Sequence, residues 1–179
     1  MSKQLELRLS GSGGQGLITA GIILAEAALK DDKNAIQTQS YGPEARGGAS
    51  KAEVIISDDV IDFPKVTMPN MTLALTQIAC DKYIMDISED GTVIVDDSIV
   101  LPEGIKAGKI LRVPIIKTAK NEVGKEIVAN IVALGLIVGL TGIVTRESLE
   151  AAIMSRVPRG TEELNKMALQ KGYELAKSY

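Results

Sequence analysis

Two glycine-rich segments contain the residues whose types and spacing could bind an anion. The first, residues 11–16 (GSGGQG), lies between a short apolar segment and a run of helix-forming residues. Glycines allow the backbone to turn sharply and another molecule to approach closely. The amides at the start of a helix, together with the helix dipole, favour a negative charge. This segment therefore predicts an anion-binding turn, and its candidate ligand residues are Gly11, Gly13, Gly14, Gln15 and Gly16.

The second segment, residues 40–48 (SYGPEARGG), places a guanidinium beside unshielded backbone. Arginine is suited to bidentate contact with a carboxylate or a phosphate. The candidate ligand residues in this segment are Tyr41, Arg46, Gly47 and Gly48. A solvated surface loop with an ion pair between Glu44 and Arg46 explains the same residues without a ligand, and this alternative stays open.

The first segment matches G-x-G-x-x-G, the phosphate-binding turn of dinucleotide-binding folds. In those folds an acidic residue about 20 residues further on binds the ribose. The next predicted strand, residues 35–39, contains no acidic residue, and no Lys-Ser or Lys-Thr pair of a P-loop closes the turn. A self-contained nucleotide-binding protein or NAD-dependent oxidoreductase is therefore an alternative hypothesis, but the acidic residue that would bind the ribose is missing. A third hypothesis is a scaffold in which the glycines serve close packing alone.

Composition excludes several kinds of catalytic and binding site. The 179 residues include no histidine and one cysteine, which rules out a Ser-His-Asp arrangement, a zinc site and an iron–sulfur ligand set. We therefore predict no catalytic residue and no metal site, and we expect Cys80 to be a small buried hydrophobe. A net charge of −3, no basic run and 3% aromatic residues argue against nucleic acid and an anionic membrane as partners.

The longest apolar region, residues 127–144, is shorter than the roughly 20 residues that a bilayer crossing needs, and the N-terminus resembles no signal peptide. We predict a cytoplasmic protein. Asn130, within this region, is interpreted as either a hydrogen-bonded core amide or a group that reaches a partner.

Strand and helix signals alternate along the chain and predict one domain over residues 1–179. The fold class is α/β, with helices in layers around a largely parallel sheet. Strands are predicted at residues 5–9, 35–39, 49–57, 71–75, 92–96 and 109–113. Helices are predicted at residues 17–29, 77–87, 115–122, 125–140, 145–155 with Thr145 as the cap, and 161–177.

The two glycine segments together resemble the gamma subunit of 2-oxoacid:ferredoxin oxidoreductases. Either segment alone would not be specific, but the resemblance covers nearly the whole chain. It extends through Ala20-Gly21, Leu24-Ala25-Glu26-Ala27, Ser57-Asp58, Ile61, Pro64, Gln77, Asp81-Lys82-Tyr83, Asn130, Ala133-Leu134-Gly135, Asn165, Ala168 and Gly172.

The resemblance implies a fold like the gamma domain of pyruvate:ferredoxin oxidoreductase. It also implies a complex that oxidatively decarboxylates a 2-oxoacid with CoA to acyl-CoA and CO2 and reduces ferredoxin. The 2-oxoglutarate branch is the most similar, while the pyruvate, branched-chain 2-oxoacid and indolepyruvate branches stay open. The glycine segments and Arg46 would then bind a CoA phosphate or the substrate carboxylate.

The resemblance also specifies partners and cofactors. Thiamine diphosphate and iron–sulfur clusters are expected on partner subunits, CoA is a co-substrate of the complex, and this chain alone is expected to bind no cofactor and to be inactive. The expected partners are the alpha and beta subunits, with delta as an optional further subunit, and ferredoxin as the electron acceptor.

Overall fold

The computed structural model describes residues 4–40 and 48–179. Within these ranges six strands form one sheet in the order β2-β3-β1-β4-β5-β6. β1, β4, β5 and β6 run parallel, whereas β3 is antiparallel to both β1 and β2. The predicted α/β class is confirmed, with a mixed, mostly parallel sheet. The strands are β1 (Gln4–Ser12), β2 (Asn34–Ser40), β3 (Ala49–Ser57), β4 (Met71–Ala74), β5 (Thr92–Asp96) and β6 (Lys109–Val113).

The helices lie where the sequence predicts them, with differences at their ends. The second helix ends at residue 83 rather than 87, and the apolar helix predicted from residue 125 begins as a 3-10 turn at Glu126–Val128. Ser148 N donates to Thr145 Oγ1 over 3.2 Å, which confirms the predicted cap. The helices are α1 (Leu17–Lys30), α2 (Gln77–Tyr83), α3 (Ile115–Lys117) with a π-helical continuation (Thr118–Val123), α4 (Ala129–Thr141), α5 (Arg146–Arg156) and α6 (Glu162–Ala176).

The main hydrophobic core lies on one face of the sheet. Alternate strand residues, Leu7 and Leu9 among them, pack there in one cluster with residues of α1, α4, α5 and α6. A smaller cluster lies between α2 and the other face, and it includes Cys80, which is fully buried as predicted. Burial raises the pKa of the Cys80 thiol above its ordinary value, so the side chain behaves as an apolar group.

Arg8 is a buried charge in the centre of β1. It is only 5% exposed. Its Nε donates to Glu53 Oε1 over 2.8 Å, and its Nη1 lies 3.4 Å from the carbonyl oxygens of Tyr83 and Asp86. The guanidinium thus pairs with the partly buried carboxylate of Glu53 and also meets the carbonyl end of α2, where the helix dipole is negative.

α4 and α6 cross at a contact between two glycines. A Cβ atom at Gly135 would overlap the Leu169 carbonyl oxygen and lie 3.0 Å from Gly172 Cα. A Cβ at Gly172 would lie 2.8 Å from Gly135 Cα. Backbone therefore packs against backbone, and α4 is buried along almost its whole length. In the part of the chain that the structure describes, no helix has both the length and the apolarity needed to span a membrane.

We expect Gly135→Ala to lower the free energy of unfolding by about 1–3 kcal/mol, because the new methyl group overpacks the helix crossing. Alanine itself favours a helix over glycine by up to about 1 kcal/mol, so a loss must come from the contact. The control is Gly21→Ala in α1, where the added Cβ would lie 3.0 Å from Ala52 Cβ, a smaller conflict. Urea unfolding of both variants measures the difference. Equal stabilities would contradict the packing argument.

Candidate functional site

The side chain of Gln15 forms a hydrogen bond within the glycine turn, residues 11–16. Gln15 N donates to Ser12 O over 3.3 Å, and Gln15 Oε1 accepts from Ser12 N over 2.8 Å. The side chain of Gln15 therefore shapes the turn, and its carbonyl oxygen is already occupied. Gly13 and Gly14 are exposed, whereas Gly11 is buried at the end of β1.

Three positions in the turn require glycine for different reasons. A Cβ at Gly11 would lie 2.6 Å from Leu17 Cδ1 and would overlap the Gln15 side chain. Gly14 and Gly16 have φ angles of +92° and +71°, in the left-handed region that other residues rarely adopt. A Cβ at Gly16 would also lie 2.6 Å from Asn130 Nδ2. The close packing explains Gly11 fully, but it does not explain the exposed Gly14.

The turn ends directly at the start of α1. Gly16 is the N-cap residue, no described side chain caps the helix, and its first turn contains no acidic residue. The first amides of an α-helix have no partner within the helix, and the helix dipole makes this end positive. The helix start at the turn is therefore uncapped, and anion binding there stays a prediction.

The second glycine segment meets the first at its last residue. Gly13 N donates to Gly48 O over 3.2 Å. This contact follows from the antiparallel pairing of β1 and β3, in which Ser12 lies opposite Ala49. Tyr41, Arg46 and Gly47 lie outside the described residues, so their predicted part in the site stays a prediction.

Asn130 reaches the turn from the start of α4. Its Nδ2 donates to Gly16 O over 3.2 Å, and its Oδ1 accepts from Ile131 N over 2.9 Å. The side chain is buried, and both partners are backbone groups, which confirms the interpretation as a hydrogen-bonded core amide. Sequence reasoning could not identify Gly16 as the partner, because the two residues are 114 positions apart.

The turn lies at the carboxyl end of the parallel strands. β1 continues through α1 to one side of the sheet, and β4 continues to β5 on the other side, so the turn occupies a topological switch point, where ligands bind in open α/β sheets. A hollow of about 200 Å³ adjoins Gly14 and Gln15, and Ile127 at its wall is 71% exposed.

Two further exposed apolar residues, Ile78 and Val100, lie at the same end of the sheet. Gln77 holds the backbone of Val100 with both ends of its amide: Nε2 donates to Val100 O over 2.8 Å, and Oε1 accepts from Val100 N over 2.9 Å. Ile78 and Val100 are 56% and 72% exposed. This end of the sheet therefore combines the glycine turn with large aliphatic side chains that water surrounds.

Two other ligand classes find no support in the described ranges. No group of three or more His, Cys, Asp or Glu side chains lies close enough there to hold a metal ion. β2 (Asn34–Ser40) carries no carboxylate that could bind a ribose.

Comparison with known proteins decides the family. The profile of the pyruvate ferredoxin/flavodoxin oxidoreductase family matches residues 6–175. The chain belongs to this family. A relative in the family, the 2-oxoglutarate synthase subunit KorC of Methanocaldococcus jannaschii, is 54% identical over 175 residues, which cover 96% of this chain and 94% of that protein.

Two solved structures of the same kind of subunit share the fold. The gamma subunit of a keto/oxoacid ferredoxin oxidoreductase from Geobacter sulfurreducens is 53% identical, with a TM-score of 0.86 over 98% of both chains. The pyruvate oxidoreductase subunit PORC from Thermotoga maritima is 30% identical, with a TM-score of 0.78 over 97% of both chains. The resemblance to the gamma subunit is confirmed.

Gly14→Ala separates a ligand-binding turn from a purely structural one. Among the described residues nothing lies within 4 Å of a Cβ at Gly14, so the cost is the left-handed φ alone, about 1–2 kcal/mol. Gly104 has a φ of +82° and equally open surroundings, so Gly104→Ala is the matched control. We expect similar losses in thermal unfolding but reduced activity of the assembled complex for Gly14→Ala only. Equal activities would support the scaffold hypothesis.

Proposed function

We propose that this chain is the gamma subunit of a 2-oxoglutarate:ferredoxin oxidoreductase. The complex would oxidatively decarboxylate 2-oxoglutarate with CoA to succinyl-CoA and CO2, and it would reduce ferredoxin. One observation carries the choice of branch: a 2-oxoglutarate synthase subunit is 54% identical over nearly the full length of both proteins, whereas a pyruvate oxidoreductase subunit is 30% identical.

We infer that the chain works as one gamma-type domain in a cytoplasmic hetero-oligomer. Its partners would be the alpha and beta subunits, with delta as an optional further subunit. In line with the resemblance, those partners would carry the thiamine diphosphate and the iron–sulfur clusters, and ferredoxin would accept the electrons. The isolated chain would have no oxidoreductase activity.

Within this complex, the glycine turn and the second segment would bind a phosphate of CoA. Two features of the structure support this assignment: the turn ends at an uncapped helix start without acidic residues, and Gly48 of the second segment contacts Gly13. Backbone amides and a guanidinium are the donors that bind phosphate best. The turn lies at the switch point of the sheet, on the outside of this chain, where another subunit can complete the site.

Arg46→Ala tests the charged part of this site. We expect KM for CoA to rise about tenfold in the purified complex, because one charge-assisted hydrogen bond is worth about 1.5–3 kcal/mol. Stability and KM for 2-oxoglutarate should not change. Arg159→Ala, at an exposed arginine after α5, is the control for the loss of one positive charge. A rise in KM for 2-oxoglutarate alone would assign Arg46 to the substrate carboxylate instead.

Exposed aliphatic residues lie at both ends of the sheet, so the position of the proposed ligand must indicate which end faces the other subunits. Ile78 and Val100 lie at the end that carries the glycine turn. Val60, which is 77% exposed, lies in the loop after Ser57, and Ser57 pairs with Gln4 at the opposite end of β1. Because the proposed ligand must also reach the other subunits, we infer that the glycine-turn end is in contact with them.

Glutamate substitutions at two matched valines test this orientation. In Val100→Glu the carboxylate would be buried without a partner in the interface, which costs several kcal/mol, so we expect the complex not to assemble. Val60→Glu introduces the same change at a residue of similar exposure at the other end of the sheet and should assemble normally. Size-exclusion chromatography of the co-expressed subunits gives the result. Loss of assembly with Val60→Glu alone would reverse the orientation.

A further inference from the structure

We propose that Asn130 is a positioning residue for the anion site at the glycine turn. The inference rests on the proposed function, because it assigns to a buried side chain the task of orienting the amides that would bind CoA. Asn130 is 9% exposed and lies behind the turn, with its carboxamide against Gly16. It acts on the ligand only through the backbone that it holds.

The Gly16 carbonyl is the atom that Asn130 fixes. It accepts from Asn130 Nδ2 over 3.2 Å and from Ala20 N over 2.9 Å, the first hydrogen bond of α1. A trans peptide group is planar, with its C=O and N–H pointing in opposite directions. Holding the Gly16 carbonyl towards the protein interior therefore points the Leu17 N–H away from it, out of the helix start. That N–H has no partner within the helix.

Only a carboxamide can hydrogen-bond both backbone groups that contact this side chain. The Gly16 carbonyl can only accept, and the Ile131 N–H can only donate, so the orientation of the amide is determined by its surroundings. An aspartate here would place a second acceptor against the Gly16 oxygen and a negative charge behind the anion site. An alanine would leave both backbone groups without these partners.

Asn130 lies in a tightly packed part of the fold. It lies in the first turn of α4, and α4 contacts α6 backbone to backbone at Gly135 and Gly172. Gly16 has no room for a Cβ, which would lie 2.6 Å from Asn130 Nδ2. A rigid helix and a turn in close contact are what a precisely oriented binding group requires.

The test measures steady-state kinetics of the purified complex carrying Asn130→Ala or Asn130→Asp. We expect KM for CoA to rise about tenfold in Asn130→Ala and further in Asn130→Asp, which adds repulsion, while kcat and KM for 2-oxoglutarate stay within about twofold. Asn165→Ala is the matched control. Asn165 is 5% exposed, and its Nδ2 donates to Thr161 O over 2.9 Å rather than to the turn. It should lower thermal stability without changing KM for CoA.

The outcomes separate this inference from the proposed function. If Arg46→Ala and Gly14→Ala raise KM for CoA but Asn130→Ala does not, the positioning role is wrong and the proposed site stands. If none of the three changes KM for CoA, the site itself is wrong, and the inference fails with it. Equal effects of Asn130→Ala and Asn165→Ala would show a purely structural role and overturn the inference.

A serine variant keeps the test decisive if Asn130→Ala does not yield an assembled complex. Asn130→Ser retains a smaller group that can donate one hydrogen bond. We expect it to assemble with a KM for CoA above the wild-type value. A wild-type KM for CoA in that variant would overturn the positioning role.

Discussion

The close approach of α4 to the glycine turn is the constraint on which the candidate site depends. Gly16 takes a left-handed φ and leaves no space for a side chain, and Asn130 fills that space with an amide that bonds the Gly16 carbonyl. A turn of several glycines is flexible in isolation. Here Asn130 binds the carbonyl of Gly16, the last residue of the turn, and thereby orients the start of α1.

That constraint extends into the helical layer. Asn130 can hold the turn only if α4 is fixed, and α4 is fixed by the backbone contact of Gly135 with Gly172 on α6. The glycines at these positions therefore serve two purposes. Those in α4 and α6 allow two helices to touch, whereas Gly14 and Gly16 allow a backbone conformation that other residues avoid. Close packing accounts for the first group and for Gly11, and the second group is where ligand binding is proposed.

The arrangement also explains why the chain looks incomplete as an enzyme. The glycine turn lies at the switch point of the sheet, where α/β proteins bind ligands, but the neighbouring β2 supplies no carboxylate for a ribose. The exposed aliphatic residue Ile127 lies beside the turn, and Val100 is exposed at the same end of the sheet. A binding surface of this composition suits a subunit of a larger assembly, in agreement with the family to which the chain belongs.

Local pattern determined most of the secondary structure, because hydrophobic period and glycine position are local properties. β3 was predicted at its observed bounds, and the cap at Thr145 is formed. The end of α2 was predicted four residues late; the carbonyls of Tyr83, its last residue, and of Asp86 beyond it accept from Arg8 of β1, a contact that no local pattern shows. The burial of Arg8 itself was not visible in an alternating strand pattern, because that pattern does not show what covers the polar face.

The sequence by itself determined the α/β class, the glycine turn between β1 and α1, the absence of histidine chemistry, and the resemblance to a gamma subunit. Each of these depends on residue types and on neighbours along the chain. Only the tertiary structure decided that β3 runs antiparallel to β1, that Gly48 contacts Gly13, and that Asn130 holds Gly16. Side chains alternate between the two faces in parallel and antiparallel strands alike, so the sequence pattern does not show strand direction. A hydrogen bond between residues 114 positions apart depends on packing that no local pattern encodes.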